Sequence, residues 1–299
     1  METTPSILLV AKESGMTSFR ALSAVKRTLG KKVGHAGTLD KFAQGLLVVL
    51  TGSLTRLNPL FMNLDKRYRA GIRFGAETDT LDPDGTVVAT AAIPSFDEIK
   101  AVVGHFIGAI EQVPPAYSAL HVEGRRASDR AREGEVVVME KRPVVVYHFD
   151  LLSYSDGLLE ADIAVSKGTY IRSLARDLGL AAGSVAHLES LTRTEIGPYC
   201  LDEAVSADDS QALIESGSRV EEYLLRLIGE ERRHTCSHTE LGRMVYGQYP
   251  PSAKGFERSG WALAYDPEGV LRAVLDTQNR KIAAWVCPYE REGRVHETV

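Results

Sequence analysis

Leu46 to Leu50 is an unbroken aliphatic run, Leu-Leu-Val-Val-Leu. A strand with one wet face alternates apolar and polar residues, whereas a strand buried on both faces reads as a continuous apolar run. The chain is therefore expected to fold around this segment. The residues just before it, within the stretch Val33 to Gly52, form a loop with the character of a site. Gly34 and Gly37 bracket His35 where the backbone is expected to need torsions only glycine adopts cheaply, and a single carboxylate, Asp40, follows. Asp40 is thus expected at the rim of a rigid sheet, where a reactive group is well held. Taken alone, Asp among glycines is also an ordinary turn.

The flanking pattern is α+β. Ser6 to Ala11 is a short apolar run suited to a buried strand, and Thr17-Ser18 offers an N-cap for a helix through about Leu29, closed by Gly30. Lys66 to Phe74 alternates basic with apolar residues, and Asp84-Gly85 is expected to turn it into a hairpin with Thr86 to Ala91. Ser95 to Phe106 has helical spacing, Pro114-Pro115 forces an extended segment, and Val144 to Tyr154 and Leu158 to Val165 are β-rich runs around a Ser-Asp-Gly turn. Leu201 to Ser218 is acidic and helix-compatible, a connector. The boundary is placed near Gly217, giving a larger domain over residues 1–217 and a small β-rich one over 218–299, with runs at Trp261 to Tyr265, Leu271 to Leu275 and Ile282 to Val286.

The net charge of −5 looks wrong for a nucleic-acid binder until it is resolved along the chain. Met1 to Gly75 carries twelve Lys and Arg against four Asp and Glu, or +8, which leaves −13 for the remainder. The segment with the local positive potential that phosphates require is the one that contains Asp40. No apolar stretch approaches the eighteen or so residues of a membrane span, and the opening Met1 to Pro5 lacks a signal-peptide pattern, so a cytoplasmic protein without a membrane partner is expected. Cys200, Cys236 and Cys287 are widely spaced, as reduced thiols are. His234, Cys236 and His238 alternate, so in a strand they would share one face and in principle hold zinc. A fourth ligand is not evident, however, and Arg232 and Arg233 disfavour a cation there. Neither a Walker-type G-x-x-x-x-G-K nor a dinucleotide G-x-G-x-x-G occurs; no metal and no cofactor are expected.

The segment G-H-A-G-T-L-D-K-F-A-Q-G-L-L, residues 34–47, closely resembles the catalytic motif of the TruB family of tRNA pseudouridine synthases, with Lys41 where the family usually has Pro. Further blocks follow in the family's order: K-R-Y-R-A-G around Tyr68, Q-V-P-P-A-Y-S-A from Gln112, S-K-G-T-Y-I-R-S-L-A-R-D-L-G around Tyr170 and Arg172, and A-H-L-E-S-L-T-R-T-E-I-G around Leu191. Lys12 to Ser18 resembles the family's opening K-P-x-G-x-T-S with Glu13 in place of Pro, and further departures occur at His121 and Ser128. Together the resemblance covers roughly Leu8 to Gly197. It implies the pseudouridine synthase fold, a mixed, largely antiparallel sheet flanked by helices, and isomerisation of the T-loop uridine conventionally numbered 55 in tRNA. The partner implied is the T-arm stem-loop; no obligate protein partner is indicated.

By the same resemblance Asp40 is the catalytic carboxylate, and Arg172 pairs with it and is expected to keep it ionised. Tyr68 stacks on the flipped uracil, Tyr170 and Leu191 hold it, and His35 fills the space the base vacates. The C-terminal region stands where many members carry an accessory, often PUA-like, RNA-binding module. The rival reading is an RNA-binding or tRNA-folding protein on the same scaffold that no longer catalyses; the retention of Asp40 with Tyr68, Tyr170 and Arg172 speaks against it.

Overall fold

The computed structural model describes residues 3–122, 124–253 and 260–289. Strand β1 (Ile7–Lys12) leads into helix α1 (Ser18–Leu29), whose ends are those read from the sequence. Thr17 Oγ1 accepts from the Arg20 N–H at 3.2 Å, and Gly30 leaves the helix at φ 104° while its N–H donates to the Lys26 carbonyl. Strands β2 (Val33–His35) and β3 (Gln44–Thr51) then pair antiparallel across the Asp40 loop. In β3 the side chains of Leu46, Val48 and Leu50 enter one apolar cluster and those of Leu47 and Val49 another. Both faces are covered, which is why the run carries no polar alternation, and each such Leu contributes about 1.5–3 kcal/mol by leaving water.

After helix α2 (Asn58–Met62), strand β4 (Lys66–Phe74) enters the middle of the main sheet. The sequence reading paired it with the Thr86 to Ala91 run, and this is corrected by the structure. Gly75 turns the chain out of the sheet at φ 93°, and the hairpin forms between β5 (Ala76–Thr78) and β6 (Val87–Thr90). Both edges of β4 are already taken by two later strands. Helix α3 (Phe96–Val103), closed at its start by a Ser95/Glu98 capping box, precedes edge strand β7 (Gly108–Gln112). A small β-ribbon, β8 (His121–Val122) with β9 (Arg125–Arg126), carries the short helix α4 (Ala127–Arg132).

The long hairpin β10 (Arg142–Ser155) and β11 (Leu158–Val165) follows as expected, then helix α5 (Ile171–Ala181) and strand β12 (Ala186–Ile196). Strand β13 (Tyr199–Cys200) folds back on β12, and β14 (Val205–Ser206) reaches the far edge beside β1. The sheet order is β14-β1-β3-β12-β4-β11-β10-β7, antiparallel except where β14 meets β1 and where β12 meets β3. This is the mixed, largely antiparallel sheet that the sequence implied.

The acidic connector is part of that sheet's packing. Helix α6 (Ser210–Gly217) delivers Leu213 into the cluster with Leu8, Leu22 and Leu47. Beyond Gly217, helix α7 (Val220–Ile228) places Val220, Tyr223 and Leu224 against Ile7, Leu9 and Leu46. A small sheet of β15 (Arg233–Thr235), β16 (Trp261–Tyr265), β17 (Leu271–Asp276) and β18 (Lys281–Trp285) then completes that face, with helix α8 (His238–Met244) after β15. Its Leu263, Tyr265 and Val274 belong to the same cluster, and Ser53 Oγ donates to the Trp285 carbonyl. Among the described residues no helix is long and apolar enough to cross a membrane.

Candidate active site

The Asp40 loop is held from four directions. On one side, Ser18 at the start of α1 donates its hydroxyl to the Leu39 carbonyl at 3.1 Å and accepts the Leu39 N–H at 3.0 Å. On the far side of Asp40, the Gly15 N–H donates to the Lys41 carbonyl and Ser14 Oγ to that of Phe42. From beneath, Leu39 and Ala43 are buried in the core with Tyr68, Ile171 and Leu191. Lastly, Arg193 of β12 reaches across, donating from Nε to the Leu46 carbonyl at 2.8 Å and from Nη2 to that of Gly37 at 3.0 Å. The glycine expectation is met at one position of the two: Gly37 has φ 94°, whereas Gly34 sits in ordinary strand torsions in β2. A glycine the sequence reading did not single out is as constrained. Gly45 has φ 114°, and a Cβ there would lie 2.3 Å from the Arg193 carbonyl oxygen.

Arg172, on the first turn of α5, is 5% exposed and spends all five N–H groups on protein oxygens. Nε donates to Asp40 Oδ2 at 3.0 Å and Nη2 to Asp40 Oδ1 at 3.3 Å, a two-pronged pairing. Nη2 also serves the Tyr117 carbonyl at 2.9 Å, and Nη1 serves the Thr80 carbonyl at 2.9 Å and Asp82 Oδ2 at 3.3 Å. Asp82 is itself fixed by the Thr80 hydroxyl and the Asp84 N–H. Between Thr80 and Asp82, Leu81 adopts φ 62°, strained for a residue with a Cβ, so the loop is bent to present oxygens to the guanidinium. Asp82 falls in the segment T-L-D-P-D-G, residues 80–85, where a lone Asp in a turn gives no signal until its partner is known.

Arg172 lowers the Asp40 pKa, as expected, but it does not decide the net direction. Burial raises the Asp40 pKa above its ordinary value and outweighs Arg172, with Asp82 raising it further and Lys12 opposing. The side chain keeps 39% of its surface open. The opening is into a cavity of about 590 Å³, whose lining includes Tyr68, Tyr170, Leu191 and the segment Tyr117 to Leu120. Tyr170 is oriented by Gln112, whose side-chain amide accepts the Tyr170 N–H at 2.8 Å and donates to its carbonyl at 3.1 Å. Five of the six expected site residues therefore meet in one place. The sixth, His35, does not line the cavity; it lies in β2, its pKa pushed down by burial and by Arg193, with Nδ1 buried and unpartnered.

Three cations escaped the sequence reading. Lys12 is buried and donates to the carbonyls of Glu13, Met16 and Lys41, its pKa pushed down to about 8 mainly by burial while Asp40 opposes. Lys66 lies two residues before Tyr68 on β4, so the strand's period of two sends both into the cavity. Arg67 faces the other way and pairs with Asp162 at 2.6 Å and Glu195 at 3.4 Å. Arg193 is the third. The alternating His234, Cys236 and His238 do not share a strand face, because β15 ends at Thr235 and His238 opens α8. His234 Nε2 meets Ser252 Oγ, and His238 Nε2 meets Glu268.

Comparison with known proteins agrees with this geometry. Residues 26–171 match the model described as TruB family pseudouridylate synthase (N terminal domain), and residues 172–230 that described as tRNA pseudouridylate synthase B C-terminal domain. The chain is similar to tRNA pseudouridine synthase B of Treponema pallidum (strain Nichols), 46% identical over 224 residues, which is 67% of this chain and 61% of that relative. It is also similar to tRNA pseudouridine synthase B of Bordetella avium (strain 197N), 45% identical over 212 residues, covering 69% of this chain and 87% of the relative. The chain thus spans less than two thirds of the Treponema relative. Among solved structures it resembles a chain in the crystal structure of a Cbf5-Nop10-Gar1 complex, with a TM-score of 0.63 at 23% identity over 95% of this chain and 84% of that one, a likeness of fold.

Proposed function

The chain belongs to the TruB family of pseudouridylate synthases, and from that membership we propose that it isomerises uridine to pseudouridine at position 55 in the T loop of tRNA. The observation that carries the reading is Asp40, gripped by both prongs of Arg172 and opening into a cavity walled by Tyr68, Tyr170 and Leu191. A volume of about 590 Å³ suits one nucleotide with its base turned out of the stack.

The reaction breaks N1–C1′, turns the uracil, joins C5 to C1′ and releases the C5 proton, with no net redox change and no net addition of water. A single ionised carboxylate serves as nucleophile toward C1′ or the base, or as base toward the 2′ proton. The carboxylate must be ionised to act. Arg172 aims its two oxygens and offsets part of the cost of burying the charge. Tyr68 presents a ring face to the flipped base, and Tyr170 and Leu191 exclude water around it. The part of filling the gap left in the RNA stack is assigned to His35 from the family resemblance; its ring lies outside the cavity wall. We propose no cofactor, a cytoplasmic setting, and a C-terminal region from about residue 218 that adds affinity for tRNA.

The test is to map pseudouridine in tRNA incubated with wild type and with Asp40→Asn. The variant is nearly isosteric and should bind tRNA while forming no product. Activity within about tenfold of wild type would remove Asp40 from the chemistry and leave a tRNA-binding or tRNA-folding protein as the better reading.

A further inference from the structure

Lys66 and Arg193 are two buried cations in the cavity wall that make no ion pair among the described residues, although Asp65 acts on Lys66 from a distance. Lys66 is 9% exposed, and its ammonium donates to the Met62 carbonyl at 2.7 Å and to the Leu64 carbonyl. Arg193 is 2% exposed, and its guanidinium is capped by the carbonyls of Leu46 and Gly37. Their strands, β4 and β12, are adjacent and antiparallel, with Ile196 opposite Lys66 and Arg193 opposite Tyr68. Carbonyl oxygens satisfy N–H groups but leave the charges unneutralised, and charges this buried are ordinarily paired. Asp40 is the only carboxylate among the described residues that line the cavity, and Arg172 already holds it.

Both groups also keep donors in reserve. Lys66 has three N–H and uses two. Arg193 donates from Nε and Nη2, and among the described residues Nη1 has no hydrogen bond; it lies beside Gly37, 3.6 Å from where a Cβ would sit. A neutral base carbonyl would take up a donor and leave the charge. An anion does both.

Resting on the uridine-isomerising reading above, we propose that Lys66 and Arg193 form a binding site for a backbone phosphate flanking the flipped nucleotide, so that the substrate brings the missing counter-charge. The site would then register the nucleotide by its backbone while Asp40 acts on its sugar or base, a division in which phosphate contacts position and base contacts specify.

The experiment uses the full chain and a T-arm stem-loop RNA in which one phosphate is replaced by an uncharged methylphosphonate, first 5′ and then 3′ of the target uridine. Wild type should bind one of the two neutral RNAs about tenfold more weakly than the all-phosphate RNA, as expected for a charge-assisted contact. Lys66→Met should show a similar loss on the all-phosphate RNA and little further loss on the sensitive neutral one, while Lys66→Arg should retain the sensitivity. Additive losses, or no loss by wild type at either linkage, would overturn the proposal; the wild-type arm stands even if Lys66→Met fails to fold. If wild type forms no pseudouridine in the all-phosphate RNA, the functional reading itself falls, and that outcome is distinct because it precedes any comparison of linkages.

Discussion

Arg172 and Arg193 are both almost wholly buried in the wall of one cavity, yet they are held by opposite means. Arg172 faces two carboxylates, Asp40 and Asp82, besides two carbonyls. Arg193, with Lys66 beside it, is hydrogen-bonded among the described residues to carbonyls and to no carboxylate. In the first part of the wall the counter-charge includes Asp40, the proposed reacting group, and is present before any substrate arrives. In the second no such group is built in. The difference separates a preorganised pair, whose geometry is finished at folding, from a pair whose electrostatics stay incomplete.

The sharpest way to break this comparison is at Asp40. Asp40→Asn should lower turnover at least about a thousandfold, a loss read by single-turnover kinetics. Its melting temperature should not fall: the carboxyl pKa is raised in the folded state, so the ionised form is held less well there than in the unfolded chain, and that contribution to stability is lost as pH rises through the folded value. A clearly lower melting temperature would mean that the Arg172 pairing outweighs burial after all. For the same reason turnover should fall, on acidification, at a higher pH than an ordinary Asp would dictate.

Next in size is Arg172→Ala, which leaves Asp40 and Asp82 facing each other across a buried gap. Stranding such charges costs roughly 3–5 kcal/mol, so urea unfolding should show a large loss, and the acid limb of the pH–rate profile should move further up. Arg172→Lys restores charge without the two-pronged grip and should recover stability more than turnover. Equal and severe losses for both variants would assign the role to geometry alone.

Lys66 tests the other part of the wall by a smaller effect. Burial pushes its pKa from 10.5 down to about 8. A lowered folded value means the stability contribution is fully present above the unfolded pKa and is lost as pH falls through the folded one. Wild type should therefore gain on Lys66→Met, on the order of 2 kcal/mol, between pH 8 and 10.5. A difference that stays flat across that window would show an ammonium better solvated than its carbonyl cage suggests. The least effect should come from inorganic phosphate, which ought to raise the melting temperature of wild type slightly and that of Lys66→Met less.

The carboxylate part of this site was legible because its residues lie in contiguous, specific blocks: Asp40 in one, Tyr170 and Arg172 in another, Tyr68 and Leu191 in two more. The buried strand, the helix from Ser18 to Leu29 and the hairpin from Val144 to Val165 were legible for a related reason, since each is decided by its own periodicity and caps. What escaped was whatever depends on which distant segments pair. Nothing local marks Lys12, Lys66 and Arg193 as buried until the sheet order is known, and Arg193 meets the Asp40 loop because β12 runs parallel to β3. The misassigned hairpin has the same origin: nothing local to Lys66 to Phe74 reveals that both its edges are already occupied. The sign of the Asp40 shift depends on burial against one guanidinium, a balance no spacing encodes.

The sharing of one apolar cluster between β3 and the C-terminal sheet bears on how the chain is made. Ser53 and Trp285, bonded in the native state, are 232 residues apart. During synthesis from the N-terminus, Leu46, Val48 and Leu50 leave the ribosome long before Leu263, Tyr265 and Val274 exist to cover them. One face of this strand should therefore stay incompletely covered until the C-terminal sheet is made, a condition under which nascent chains stick to one another or to chaperones. A chain truncated before residue 260 should leave part of this face open to an apolar dye, and the full chain should hide it.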